Sequence, residues 1–191
     1  MNILQLLSSL NSDISIRAVA AHSKVLKDNN WNSYVFAPLG RELSYFKRWG
    51  AEIVSRRSSS LDIVYSKGTI KEICNVVSSN SITILHVYDI PGYRAALQVQ
   101  KTCSIKIIMS LLKNKLEKSV IGRLNKTIFG EFLPRVTTLV PSKTAYKELL
   151  TKYSRKSIDL FHVPVPVDFT IYDEKKISQE RTISLAKQWG M

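Results

Sequence analysis

Seven short runs, apolar and β-branched nearly throughout, constrain this chain more than any other feature. They fall at Ile3–Leu7, Tyr34–Ala37, Ala51–Val54, Ile82–Val87, Ile105–Leu111, Val136–Val140 and Ile158–Val163. A strand with one face in water alternates apolar and polar residues, whereas a continuous apolar run reads as a strand buried on both faces. Between the runs the spacing changes to a helical period. Leu39, Leu43 and Phe46 are followed by the terminator Gly50; Ile70, Ile73, Cys74 and Val77 form a second set; Tyr146, Leu149, Leu150 and Tyr153 form a third. The i, i+3, i+4, i+7 spacing puts each set on one face of a helix. Strand and helix alternate along the chain, which predicts an α/β fold with a parallel, doubly wound sheet.

In such folds ligands bind beyond the carboxyl ends of the strands, so the loops after Leu7, Val87, Leu111 and Val140 are where chemistry is expected. A length of 191 residues suits one large domain with an appendage. The expected boundaries are a domain over 1–167 and, over 168–191, a linker and a lone helix. In that helix Ser178 would serve as N-cap, Thr182, Leu185, Ala186 and Trp189 as one face, and Gly190 as the stop. Met1–Leu10 lacks the basic start of a signal peptide, and no run reaches the roughly 20 apolar residues of a membrane span. A cytoplasmic protein, at most lying on a membrane, is the expectation.

The net charge is +13, from 28 Lys and Arg against 15 Asp and Glu, which implies attraction to phosphates on nucleotides, nucleic acid or lipid headgroups. The charge concentrates in Lys113, Lys115, Lys118, Arg123 and Lys126, interleaved with Leu116, Val120, Ile121, Leu124 and Ile128. That pattern reads as a basic amphipathic helix, either lying on an anionic membrane or acceptor, or facing the core with a solvated basic side. For nucleic acid the charge stands alone, without a helix-turn-helix, an RNP-type motif or a zinc finger, and that reading ranks last. The two cysteines, Cys74 and Cys103, lie in apolar surroundings without metal spacing, and core packing is favoured over a disulfide. No Asp-x-Asp, His-x-x-x-His or cysteine cluster supports a metal site.

The ordered segments resemble those of a known family. Asn2-Ile3-Leu4-Gln5-Leu6-Leu7 with Ser9-Leu10-Asn11-Ser12, then Arg17 at the opening of a helix and Gly50-Ala51-Glu52-Ile53-Val54, resemble its first strand, loop and third strand. Ile84-Leu85-His86-Val87-Tyr88 is similar to its DIVHAH strand end. Leu139-Val140-Pro141-Ser142 is similar to its VIAVSE segment, and His162-Val163-Pro164 through Val167-Asp168 to its VIPRGVD hinge. Over essentially its whole length the chain resembles the N-terminal, Rossmann-like domain of GT-B glycosyltransferases of the glycosyl transferases group 1 superfamily, of the kind that builds lipopolysaccharide core.

The resemblance implies the acceptor-side half of an enzyme that transfers sugar from a nucleotide sugar to a cell-envelope glycan or glycolipid. The second GT-B domain, which supplies most donor contacts in the family, is expected to be missing from this chain. The expectation is therefore a truncated or split enzyme, inactive alone, needing no cofactor besides the nucleotide sugar and a separately encoded C-terminal domain as partner. A non-catalytic sugar-, phosphate- or membrane-binding module derived from such an enzyme is the alternative. It draws on departures from the family: Asp13-Ile14 replaces a Gly-Gly that would approach the diphosphate, Leu112-Lys113 replaces a catalytic His-Gly, and Val165-Pro166 replaces the hinge Arg-Gly.

No catalytic residue is therefore expected. The substrate-binding candidates are Ser12, Asp13, Arg17, His86 and Tyr88, with the five basic residues from Lys113 to Lys126 on the acceptor or membrane side. Asp13 also reads as an N-cap for a helix starting near Ile16, and Arg17 as a solvated surface residue. His86 reads equally as a cleft group or as a hydrogen-bonded histidine at the edge of the core, while His22 and His162 read as structural. Without a second domain to cover them, Phe169, Tyr172 and Trp189 should stand exposed.

Overall fold

The computed structural model describes residues 1–10, 13–54, 65–112, 136–152 and 159–164. Each of the seven apolar runs overlaps a strand: β1 Asn2–Leu6, β2 Asn32–Phe36, β3 Ala51–Ile53, β4 Ile84–Val87, β5 Lys106–Ser110, β6 Thr137–Val140 and β7 Leu160–His162. The described helices are α1 Asp13–Asp28, α2 Glu42–Arg48, α3 Lys67–Ser79, α4 Ile90–Gln100 and α5 Lys143–Lys152. The strands form one sheet in the order β3-β2-β1-β4-β5-β6-β7, and every neighbouring pair is parallel. This is the α/β, Rossmann-like sheet that the alternating pattern predicts.

Successive residues of a strand point to opposite faces, so the register divides the interior into two layers. On one face Leu4, Leu6, Phe36, Leu85, Val87, Ile107 and Met109 pack beneath Ile73 and Val77 of α3 and Tyr93, Ala96 and Val99 of α4. On the other, Leu7, Val35, Ala37, Ala51, Tyr88 and Leu112 pack beneath Ile16 and Val19 of α1 and Phe46 of α2. A smaller cluster of Val140, Leu149 and Leu160 holds α5 against β6 and β7.

Helix boundaries follow local chemistry. Ser66 caps α3 by accepting the Thr69 N–H at 3.3 Å. Gly50 ends the α2 turn at φ +91°, a conformation that glycine adopts without a Cβ penalty, and its N–H returns to the Lys47 carbonyl at 3.0 Å. Two findings correct the sequence reading. Helix α1 begins at Asp13 rather than near Ile16, and α4 is a helix that the apolar periods did not reveal. The expected linker and terminal helix over 168–191, with Phe169, Tyr172 and Trp189, lie outside the described residues.

Candidate functional site

Strand order reverses between β1 and β4: β1 leads outward to β2 and β3, and β4 leads outward to β5, β6 and β7. A doubly wound sheet opens its ligand crevice at the carboxyl ends of the strands at such a switch point. Two carboxyl-end loops meet there through one side chain. The Asp89 carboxylate accepts the Gly92 N–H at 2.7 Å, capping α4, and with its other oxygen accepts the Ser8 N–H of the β1–α1 loop at 2.9 Å. The Leu7 N–H donates to the Phe36 carbonyl at 3.0 Å, so that loop is tied to β2 as well.

Beneath these loops, on the α1 face, the switch point is floored by polar residues. Gln5 of β1 and His86 of β4 are register partners, and Ser33 of β2, Ser110 of β5, and His22 and Ser23 of α1 extend the group. Gln5, Ser23, Ser33, His86, Tyr88 and Ser110 are all buried. A buried polar group without a partner costs about 1–3 kcal/mol, so such a set persists only when its hydrogen bonds close.

They close here. The Tyr88 hydroxyl donates to Gln5 Oε1. The Gln5 amide donates to Ser23 Oγ at 2.7 Å and Ser33 Oγ at 2.8 Å; Ser33 Oγ donates to Ser23 Oγ at 3.0 Å, and Ser23 Oγ to the Val19 carbonyl at 2.8 Å. The Tyr88 oxygen also meets His22 Nδ1 at 2.8 Å and His86 Nδ1 at 3.2 Å, while His86 Nε2 meets Ser110 Oγ at 2.8 Å. One proton assignment fits all these contacts: both histidines are neutral with the hydrogen on Nδ1, donating to Tyr88, and Ser110 donates to His86 Nε2. The His86 ring stacks on Tyr88 with centroids 4.4 Å apart, and the His22 centroid lies 5.0 Å from that of His86.

Burial maintains this protonation. It lowers the His22 pKa to about 4. It holds His86 well below the ordinary histidine value, with the nearby His22 adding to the effect, and raises Tyr88 well above the ordinary phenol value. Across physiological pH the network is uncharged: a rigid, fully bonded floor.

The structure brings two of the substrate-binding candidates together, His86 and Tyr88, but buries both with their polar atoms engaged. Arg17 is exposed one turn into α1, on the same side as Ile14, which is 51% exposed. Asp13 opens α1, and its side chain is outside the description. Ser12, Lys113, Lys115, Lys118, Arg123 and Lys126 lie outside the described residues. Leu112 is buried in the α1-face core. His22 proves to be part of the network, and His162 is exposed on the edge strand β7, its ring 6.0 Å from that of Tyr146. Gln5, Ser33 and Ser110 were missed. The available signal is a polar residue within or beside an apolar run: Gln5 in Ile3–Leu7, Ser110 in Ile105–Leu111 and Ser33 just before Tyr34. Among the described residues no group of three or more His, Cys, Asp or Glu could hold a metal ion, and no helix is long and apolar enough to cross a membrane.

The fold and its switch point define a Rossmann-like α/β domain. No family model matches the sequence, and neither does any curated protein. Among solved structures, the chain is similar to a glycosyltransferase from Rickettsia africae, with a TM-score of 0.70 at 16% identity over 99% of this chain. That match takes in only 49% of the Rickettsia chain, so this chain spans about half the length of that protein. It is also similar to sucrose-phosphate synthase of Thermosynechococcus elongatus, with a TM-score of 0.50 at 8% identity over 99% of this chain and 96% of that one. At these identities the likeness is one of fold.

Proposed function

We propose that the chain is the acceptor-side half of a GT-B glycosyltransferase, moving sugar from a nucleotide sugar to a cell-envelope glycan or glycolipid such as lipopolysaccharide core. The observation that carries this reading is the match to half of the Rickettsia glycosyltransferase along nearly all of this chain. Transfer of this kind takes place between two lobes, so catalysis requires a second Rossmann domain, wherever it is encoded. In this reading the Asp89 clamp and the bonded floor hold the β1–α1 loop at one wall of the cleft. Arg17, with Ser12 and Asp13 on or beside that loop, faces the anionic substrate, and His86 and Tyr88 support the wall from below. The segment from Lys113 to Lys126 draws the domain to an anionic acceptor or membrane surface, where each basic residue contributes about 1 kcal/mol.

The test is sugar release and transfer from nucleotide sugars, measured for the purified chain with and without a matching second domain. Turnover only with the added domain is the expected result; turnover by the chain unaided would overturn the half-enzyme reading. A non-catalytic binding module is favoured by one observation: the position where glycine would admit a diphosphate holds the exposed, β-branched Ile14. Absence of transfer with every matching domain, combined with retained binding to sugar phosphates or anionic vesicles, would select that second reading.

A further inference from the structure

Exposed apolar side chains gather on the edge strand β7. Phe161 is 50% exposed, and Val163, which extends the ladder by donating its N–H to the Val140 carbonyl at 3.0 Å, is 38% exposed. Register fixes the face on which they stand. Ser110 of the polar floor, Leu139 of β6 and Phe161 are successive partners across the sheet, so they share the α1 face, whereas Leu160 packs with Leu149 of α5 on the other. On the α1 face, α1 and α2 lie over β2 and β3, and β7 is four strand steps from β1, roughly 19 Å away. Phe161 and Val163, with the half-buried Leu139, thus form an apolar strip at the far edge. The strip lies beside the densest run of cations in the chain. Lys113, Lys115, Lys118, Arg123 and Lys126 belong to the connection from β5 to β6, strands that are two places and one place from β7. On α5, Lys143 and Lys147, one turn apart, are exposed as well. The acids in these two stretches are Glu117 and Glu148.

We propose that the β7 edge docks on an anionic lipid bilayer: Phe161 and Val163 enter the headgroup region while the flanking cations meet lipid phosphates. The proposal rests on the reading that the segment from Lys113 to Lys126 draws the domain to an anionic surface, and it supplies the apolar half of that attachment. Attraction between exposed charges is screened by salt, whereas burial of apolar surface is not, so the two together hold where charge alone lets go. Charge also selects the occupant. A second copy of the chain would bring cations against cations, at +13 for each copy, while an anionic bilayer offers the opposite sign and an apolar layer beneath it.

The test sediments the full-length chain with vesicles of phosphatidylglycerol and phosphatidylcholine, and with phosphatidylcholine alone, at low and high salt. The expected result is binding to the anionic vesicles, part of which persists at high salt. The double variant Phe161→Ser, Val163→Ser keeps the net charge, and should lose the persistent part and bind about tenfold more weakly. Phe161→Trp, which keeps an interfacial side chain, should bind as the wild type does, and the melting temperature of the double variant separates a lost contact from lost folding. Equal binding by wild type and double variant, binding that vanishes with salt in both, or no binding by the wild type would each overturn the proposal. So would a dimer in sedimentation velocity that the double variant dissolves, because a second copy would then cover the edge. Sugar transfer to a water-soluble acceptor, measured with a matching second domain, should be the same for wild type and double variant. Failure of the edge to bind vesicles would therefore leave the half-enzyme reading standing.

Discussion

The two faces of the sheet solve the same packing problem by different means. Beneath α3 and α4, strand residues such as Leu4, Leu6, Leu85 and Val87 form a layer held by apolar contact. Beneath α1, the next residues along the same strands, Gln5 and His86, belong to a layer held by directed hydrogen bonds. Apolar packing is non-directional and tolerates exchange of shape at constant volume, whereas a bonded network accepts one arrangement and fails when a member is lost. The rigid face lies under the loops where strand order reverses. The fold thus places its more exacting construction at the strand switch point, where doubly wound sheets open a crevice, and leaves the more forgiving layer on the far side.

Single substitutions sharpen this contrast. Leu85→Ala on the apolar face should cost about 2–5 kcal/mol through lost burial and the cavity left behind, read as a lower urea midpoint with an unchanged slope. Leu85→Met, close in volume, should cost less than about 1.5 kcal/mol. On the polar face conservation of shape should not rescue: Gln5→Leu strips partners from the Tyr88 hydroxyl, Ser23 and Ser33 together, and should cost about 3 kcal/mol or more. If Gln5→Leu proves as mild as Leu85→Met, the two faces are built alike and the comparison fails.

Acid should separate the faces next. Because burial lowers the folded-state pKa of His22 to about 4 and holds His86 below its ordinary value, the unfolded chain binds protons first as pH falls. The stability that neutral His22 contributes is complete above about pH 6.5 and is lost as pH falls from there through about 4, and His86 adds to the loss in the same direction. For His22 the loss is up to ~3 kcal/mol, at about 1.4 kcal/mol per pKa unit. Urea titrations from pH 7 to pH 4 should show it, and His22→Gln should flatten the slope. An unchanged slope in that variant would mean that the His22 ring is not held neutral by the fold.

Much of this organisation was legible before any coordinates. The seven strands were, because parallel strands buried on both faces leave continuous apolar runs, and so was Gly50, because ending a short helix there calls for the positive φ that glycine permits. Helix α4 does not stand out by apolar period: Pro91 and Gly92 occupy its first turn, where a missing N–H costs nothing and Asp89 supplies the cap. The bonded floor was hidden for another reason. Residues 5, 22, 23, 33, 86, 88 and 110 become neighbours only once register is set, and a serine or glutamine inside an apolar run carries no local mark of its partner. His86 was legible as a strand-end residue, but sequence left open whether it faces the cleft or the core. The register with Gln5 and the bond to Ser110 place it in the core.

The smallest expected effect tests whether the two layers communicate. The Asp89 side chain binds both the start of α4, on the apolar side, and the Ser8 amide of the loop above the polar side. Asp89→Ala removes an N-cap and should cost about 1 kcal/mol. Replacement by Asn keeps an oxygen for the Gly92 N–H but supplies a single acceptor oxygen in place of two, so it should recover most of the stability while leaving the Ser8 amide unbonded. Hydrogen exchange distinguishes the two roles. In Asp89→Asn the Ser8 amide should exchange faster while amides in the body of α4 keep their protection. Unchanged exchange at Ser8 would show that the Asp89 carboxylate does not hold the β1–α1 loop, and that the two faces do not communicate through this side chain.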